Sequence, residues 1–174
     1  MHNVGANLLT FNTTYMKKFF ALIFCFVGIC AFSQSEIRTV QRPDGVTLKY
    51  FNPLPVAIHS NFEAGLALYK NVTNDFYLVA LTVLFKTSKP TELSGDLMIQ
   101  TTGTKGILLE SVFHKLVDMN GRKVASSMYL LTESDIMELK KSPIKLIAFE
   151  INGSPIGLNL TKNKSILVTE MAKL

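Results

Sequence analysis

"FYLVALTVLFK", from Phe76 to Lys86, is apolar at nearly every position and rich in Tyr, Val, Thr and Phe. A short run with that composition reads as a strand. Because it has no polar face, the strand belongs in the middle of a sheet covered on both sides, as in a sandwich or beneath a helix. The chain is therefore expected to be mostly β, with this segment as its core strand.

On its N-terminal side, "VTLKYF" (Val46 to Phe51) alternates apolar and polar residues before Pro53 and Pro55 interrupt it, which describes a strand entering a turn. "FEAGLALYK" (Phe62 to Lys70) is a further strand, with Gly65 as a bulge position, and "NVTND" (Asn71 to Asp75) is turn-forming. On the C-terminal side, "LMIQTTGTKGILLESVFHKLV" (Leu97 to Val117) gives two β-like runs around a glycine-containing hairpin at Thr102 to Gly106. Asn120-Gly121 is the strongest short hairpin signal in the chain, so strands should continue on both sides of it.

Beyond "SSMYLL" the period changes. Thr132 can cap a helix from Glu133 to Lys141, with Asp135 completing a variant of the capping box and two lysines suiting the C-terminal end of the dipole. Ile136 and Leu139 would pack this helix on the sheet, and Pro143 stops it. "IKLIAFEI" (Ile144 to Ile151) is another strand closed by Asn152-Gly153, and "PIGLNL" is a weaker one. In "NKSILVTEMAKL", Leu167, Val168, Met171 and Leu174 share a helical face, which favours a closing helix, although Ile166 to Val168 would also suit a strand. The expected architecture is an antiparallel β-sandwich of about eight strands with a short internal helix and a C-terminal helix. A two-layer α+β sheet is the alternative.

The other informative stretch is "MKKFFALIFCFVGICAFSQSE" (Met16 to Glu36). Two lysines precede a 13-residue apolar run, Phe19 to Ala31, and polar residues follow it. That order and length describe a secretory signal peptide, too short for a membrane span. Ala31 and Ser33 flank Phe32 with the spacing of a cleavage site, so cleavage is expected between Ser33 and Gln34. Lipidation at Cys30 or Cys25 is disfavoured because Ile29 and Phe24 precede them, where a small residue is normal. Residues 1–15 read as a disordered upstream mis-start, residues 16–33 as the signal peptide and residues 34–174 as a single exported β-rich domain of a bacterial chain. Its expected location is the periplasm, the outer-membrane periphery or the extracellular space, with no membrane span after cleavage.

Removal of the leader leaves 141 residues, enough for one domain. Both cysteines go with it, which excludes disulfides, cysteine-zinc sites and thiol catalysis in the mature chain. The formal charge falls from +5 to +3. The densest basic pairs, Arg122-Lys123 and Lys140-Lys141, are not interleaved with aromatics, so nucleic-acid binding is not expected.

Little in the mature chain carries chemistry. His59 and His114 are its only histidines, too few for a zinc site. Ser60 follows His59 directly, and in an extended chain the two side chains point to opposite faces, which builds no nucleophile pair. Asp118-x-Asn120-Gly121 opens like a calcium loop, but Arg122-Lys123 stands where acidic ligands should follow. Thr102 to Gly106 lacks the ending of a phosphate loop. Of the carboxylate pairs Glu133/Asp135 and Glu138/Glu150, the first is explained by the helix dipole. Tyr50, Tyr69, Tyr77 and Tyr129 could contribute to a sugar-stacking platform, without any Trp, but their strand positions suit core or rim. Asn71-Val-Thr73 and Asn159-Leu-Thr161 match glycan acceptors. No cofactor is implied.

The expected role is an exported, non-catalytic domain that binds an envelope protein or a surface polysaccharide. The alternative is a small exported hydrolase whose acid and base come from distant loops. A deep cleft bringing His59 or His114 within hydrogen-bonding reach of a serine or carboxylate would favour the enzyme, and a flat apolar patch or unpaired strand edge the binder.

Overall fold

A computed structural model of the chain describes residues 36–43, 45–86, 91–103, 106–119 and 122–174. The leader, its cysteines, the Ser33–Gln34 cleavage point and the Asn120-Gly121 turn lie outside the described residues.

The core strand is β5 (Phe76–Phe85), and it pairs along its length with β4 (Phe62–Asn71) on one side and β9 (Arg122–Leu131) on the other. Val79, Leu81, Val83 and Phe85 face the core, while Leu78 and Ala80 are buried on the opposite face. Coverage of that second face thins toward Thr82 and Leu84, which are half-buried. Beyond β4 lie β1 (Arg38–Gln41), β2 (Thr47–Tyr50) and β3 (Leu54–Ile58), and beyond β9 lies β8 (Ser111–Met119). These form a seven-stranded antiparallel sheet in the order β1-β2-β4-β5-β9-β8, with β3 also paired to β4.

A second sheet has the order β11-β10-β6-β7, from β6 (Leu93–Thr101), β7 (Gly106–Leu109), β10 (Ile144–Ile151) and β11 (Ser154–Asn159). Its Leu93, Leu97, Ile99, Ile107, Ile147 and Phe149 join the inner residues of the large sheet in one hydrophobic cluster. The architecture is the expected antiparallel sandwich. Each large aliphatic or aromatic side chain so buried contributes about 1.5–3 kcal/mol relative to exposure.

Among the described residues there are eleven strands rather than about eight, for local reasons. "GILLESVFHKLV" is two strands in different sheets: β7 ends at Leu109 in the small sheet, and after Glu110 the chain enters the large sheet as β8. Pro53 and Pro55 do not turn the chain away from β4. Instead β2 pairs with Tyr69–Asn71 and β3 with Glu63–Leu66 along the same edge of β4, separated by a register shift, with a second shift at Val56. Proline has no N–H for a ladder and is tolerated at such an edge. Gly65 pairs regularly with Thr82, and the extra residue is Val56 on β3 opposite it. The glycine instead permits a close approach, because a Cβ there would stand 3.1 Å from the Leu54 carbonyl oxygen.

Helix α1 (Glu133–Lys141) starts at Thr132 with the expected reciprocal cap. Asp135 N donates to Thr132 Oγ1 at 3.2 Å, and Thr132 N donates to Asp135 Oδ2 at 2.9 Å. Leu139 is buried and Ile136 packs against the core. The C-terminal segment is helical, α2 (Ile166–Met171), and it rests on β4 and α1 with Ile166, Leu167, Glu170 and Met171 buried.

Candidate functional site

Strand β8 is an outermost strand of the large sheet. One side runs along β9 from Ser111 opposite Tyr129 to Met119 opposite Arg122, and no described strand pairs with the other side. Leu116 lies opposite Ala125 of the core, so His114 and Leu116 face the inner side of the sheet, while Phe113, Lys115 and Val117 face outward. Three large apolar side chains of this strand are open to solvent: Val112 is 55%, Phe113 50% and Leu116 41% exposed. A register shift between Ser111 and Phe113 is tied down by Ser127, whose Oγ donates to the Phe113 carbonyl at 3.1 Å and contacts Ser111 Oγ at 2.9 Å. Natural edge strands are usually short, covered, bulged or charged, and of these devices β8 has one bulge and the charges of Lys115 and Asp118.

On the inner side of β8 a cleft of about 240 Å³ opens between the sheets. Leu93 and Ala125 are its buried apolar residues, and Thr91, Glu92, His114 and Asn152 line it as well. Asn152 holds Glu92 in place: its Oδ1 accepts from Glu92 N at 2.9 Å, and its own N–H donates to the Glu92 carbonyl at 3.0 Å. Asn152 adopts a left-handed φ of 50°, a conformation Asn accepts more readily than most residues. His114 Nε2 lies 3.7 Å from Glu92 Oε1, with both side chains about two-thirds exposed. That separation brings the two together without a hydrogen bond. Thr91, itself buried, is the one hydroxyl residue among the described residues lining the cleft.

The second histidine is engaged differently. Residues 59–61 form a bend closed by His59 N donating to the Phe62 carbonyl at 2.9 Å, so the extended geometry expected there does not apply. Ser60 Oγ consequently lies 3.4 Å from His59 Nδ1. The same nitrogen accepts from Asn61 N at 3.3 Å, and the ring stacks on Phe62 at 4.7 Å. The imidazole serves the bend, and its lone pair is already shared with a backbone donor.

The remaining sequence candidates are dispersed. Asp118 pairs with Lys123 at 2.9 Å, Glu138 with Lys141 at 3.3 Å, and Glu150 lies against Gly95 on the small sheet. Glu133 and Asp135 sit in the first turn of α1. Tyr50 and Tyr69 stack on each other at 4.8 Å, Lys70 Nζ lies 5.1 Å from the Tyr77 ring centroid, and Tyr129 is fully buried, so the four make no shared platform. Asn71 is buried and its Oδ1 accepts from Asn74 N at 3.0 Å. Among the described residues no group of three or more His, Asp or Glu is placed to hold a metal ion. No helix of the described residues is long and apolar enough to cross a membrane.

A second concavity, open and about 730 Å³, lies on the outer face of the large sheet over Gly65, Thr82, Leu84 and Val124, with Glu63 and Arg122 among its lining residues. Sequence reasoning did not single out either concavity, because each joins residues from strands far apart in the chain. No family model, curated protein or solved structure matches this chain.

Proposed function

We propose that this chain is exported by its leader, cleaved between Ser33 and Gln34, and works outside the cytoplasm as a non-catalytic module that binds an envelope protein along β8. The observation that carries this reading is the β8 edge, with Val112, Phe113 and Leu116 exposed beside a cleft. An unpaired edge offers a row of backbone donors and acceptors to an added strand, and side-chain pockets beside it supply selectivity. A polysaccharide partner has less support, since the tyrosines are committed elsewhere. The hydrolase alternative rests on His114 beside Glu92.

Affinity capture from envelope extracts tests the binding reading. Tagged protein purified from cells that also express an untagged copy of the full chain should retain a defined envelope protein, either a different chain or the untagged copy, and a Val112→Thr/Phe113→Thr/Leu116→Thr variant should lose it. Equal capture by both forms, or by neither, contradicts binding at this edge. Esterase, peptidase or glycosidase activity abolished by His114→Ala would establish the hydrolase instead.

A further inference from the structure

We infer that the strand completing the β8 edge belongs to a second copy of this chain, paired antiparallel about a two-fold axis through Leu116. The inference rests on the binding reading above and names its partner.

Symmetry limits the possible registers. Directly opposed residues in an antiparallel pair point to the same face of the sheet. A two-fold axis perpendicular to that sheet must therefore pass through one residue position of β8, since an axis between positions would oppose inward to outward side chains. Five central positions remain to be compared by the residues they oppose. An axis at Lys115 sets the two lysines against each other, and one at His114 opposes the two histidines and sets Asp118 against Glu110 just before the second strand. An axis at Phe113 leaves Leu116 and Val117 beyond the paired segment, and one at Val117 sets apolar Leu116 against Asp118.

The axis at Leu116 leaves Val112 outside the pairing but avoids the other conflicts. It places the two half-exposed Leu116 side chains together on the inner face and sets each His114 opposite Asp118 of the second copy. An imidazole N–H donor then meets a carboxylate acceptor twice, once on each side of the axis. Asp118 keeps its own Lys123 at 2.9 Å, so its negative charge is already partly balanced before the copies meet. Lys115 falls opposite Val117 on the outer face, where its ammonium reaches solvent over an apolar neighbour. The apolar and polar positions of the edge thus match themselves under one operation, as an isologous interface requires. The two clefts beside Glu92 and His114 are brought next to each other along the joined inner face.

Sedimentation velocity over a concentration series tests this, on protein purified from cells expressing the full chain. The expected result is a reversible monomer–dimer equilibrium. Leu116→Asp, which sets two carboxylates against each other at the axis, should weaken the dimer by about a hundredfold, whereas Leu116→Ile should keep it. His114→Asp should weaken it, and His114→Asp/Asp118→His should restore it. Circular dichroism of each variant confirms that the partly exposed position has not compromised folding. A wild-type monomer at every concentration, or a dimer indifferent to Leu116→Asp, overturns the inference. If the protein is monomeric but Leu116→Asp still abolishes capture of an envelope protein, the self-pairing is wrong and the binding edge stands. If capture is also unaffected, both are wrong.

Discussion

Glu170 Oε2 accepts a hydrogen bond from the Leu68 backbone N–H at 2.7 Å, joining the C-terminal helix to β4 across 102 positions of sequence. The bond falls in the gap where the edge of β4 passes from β2, ending at Tyr50 opposite Tyr69, to β3, beginning at Leu54 opposite Leu66. Phe51 N donates to the Leu68 carbonyl there at 3.3 Å, and the carboxylate takes the N–H that no strand carbonyl reaches. A buried N–H left without a partner costs about 1–3 kcal/mol, which gives Glu170 a structural reason to be inside.

The position carries a cost of its own. Glu170 is fully buried and its Oε1 has no hydrogen-bond partner. Burial pushes its pKa up from 4.5 to about 7, against the opposing pull of the Leu68 N–H and Lys173. The folded chain therefore holds a proton that the unfolded chain releases between those values, so stability is greatest below pH 4.5 for this group and falls as pH rises to about 7. The loss amounts to about 3 kcal/mol. Thermal unfolding from pH 4.5 to 8 should show this decline, and Glu170→Gln should remove most of it while keeping the acceptor for Leu68. Unchanged pH dependence in Glu170→Gln would assign the decline to other groups.

Thr132→Ala should lower stability by about 1 kcal/mol, because it removes the acceptor for Asp135 N and the hydroxyl donor to the Asp135 carboxylate, leaving only the backbone N–H of residue 132 on that carboxylate. Urea denaturation measures the change. A midpoint shift with an unaltered slope is expected, since the helix remains docked through Leu139.

Gly65→Ala should destabilise by about 1–3 kcal/mol through the 3.1 Å approach to the Leu54 carbonyl. The strain lies between β3 and β4, so amide exchange should rise first in Leu54–Ile58 and leave β5 with β9 protected. Uniform acceleration across the large sheet would contradict this local account.

The parts of the fold legible in the sequence were those with strong local signals. β5 declared itself by an uninterrupted apolar run, and α1 by Thr132, Asp135 and Pro143. β1 has four exposed residues and no apolar alternation to read. β3 contains Pro55, which reads as a break unless the strand is known to be an edge. The change of sheet after Leu109 leaves no mark beyond Glu110, because both β7 and β8 have strand composition. The meeting of His114 with Glu92 depends on how the sheets pack, and no spacing encodes it. Glu170 did leave a signal: it falls on the same helical stripe as Ile166, Leu167 and Met171, and a carboxylate on an apolar stripe marks a buried acceptor.

If a second copy of the chain closes the free edge of β8, amide hydrogen exchange at low and high protein concentration will report it. Edge amides within Phe113–Asp118 should become protected as concentration rises, and Leu116→Asp should abolish that gain while leaving β5 unchanged. Exchange in β8 at the same rate across the whole concentration range would show that no second copy closes this edge.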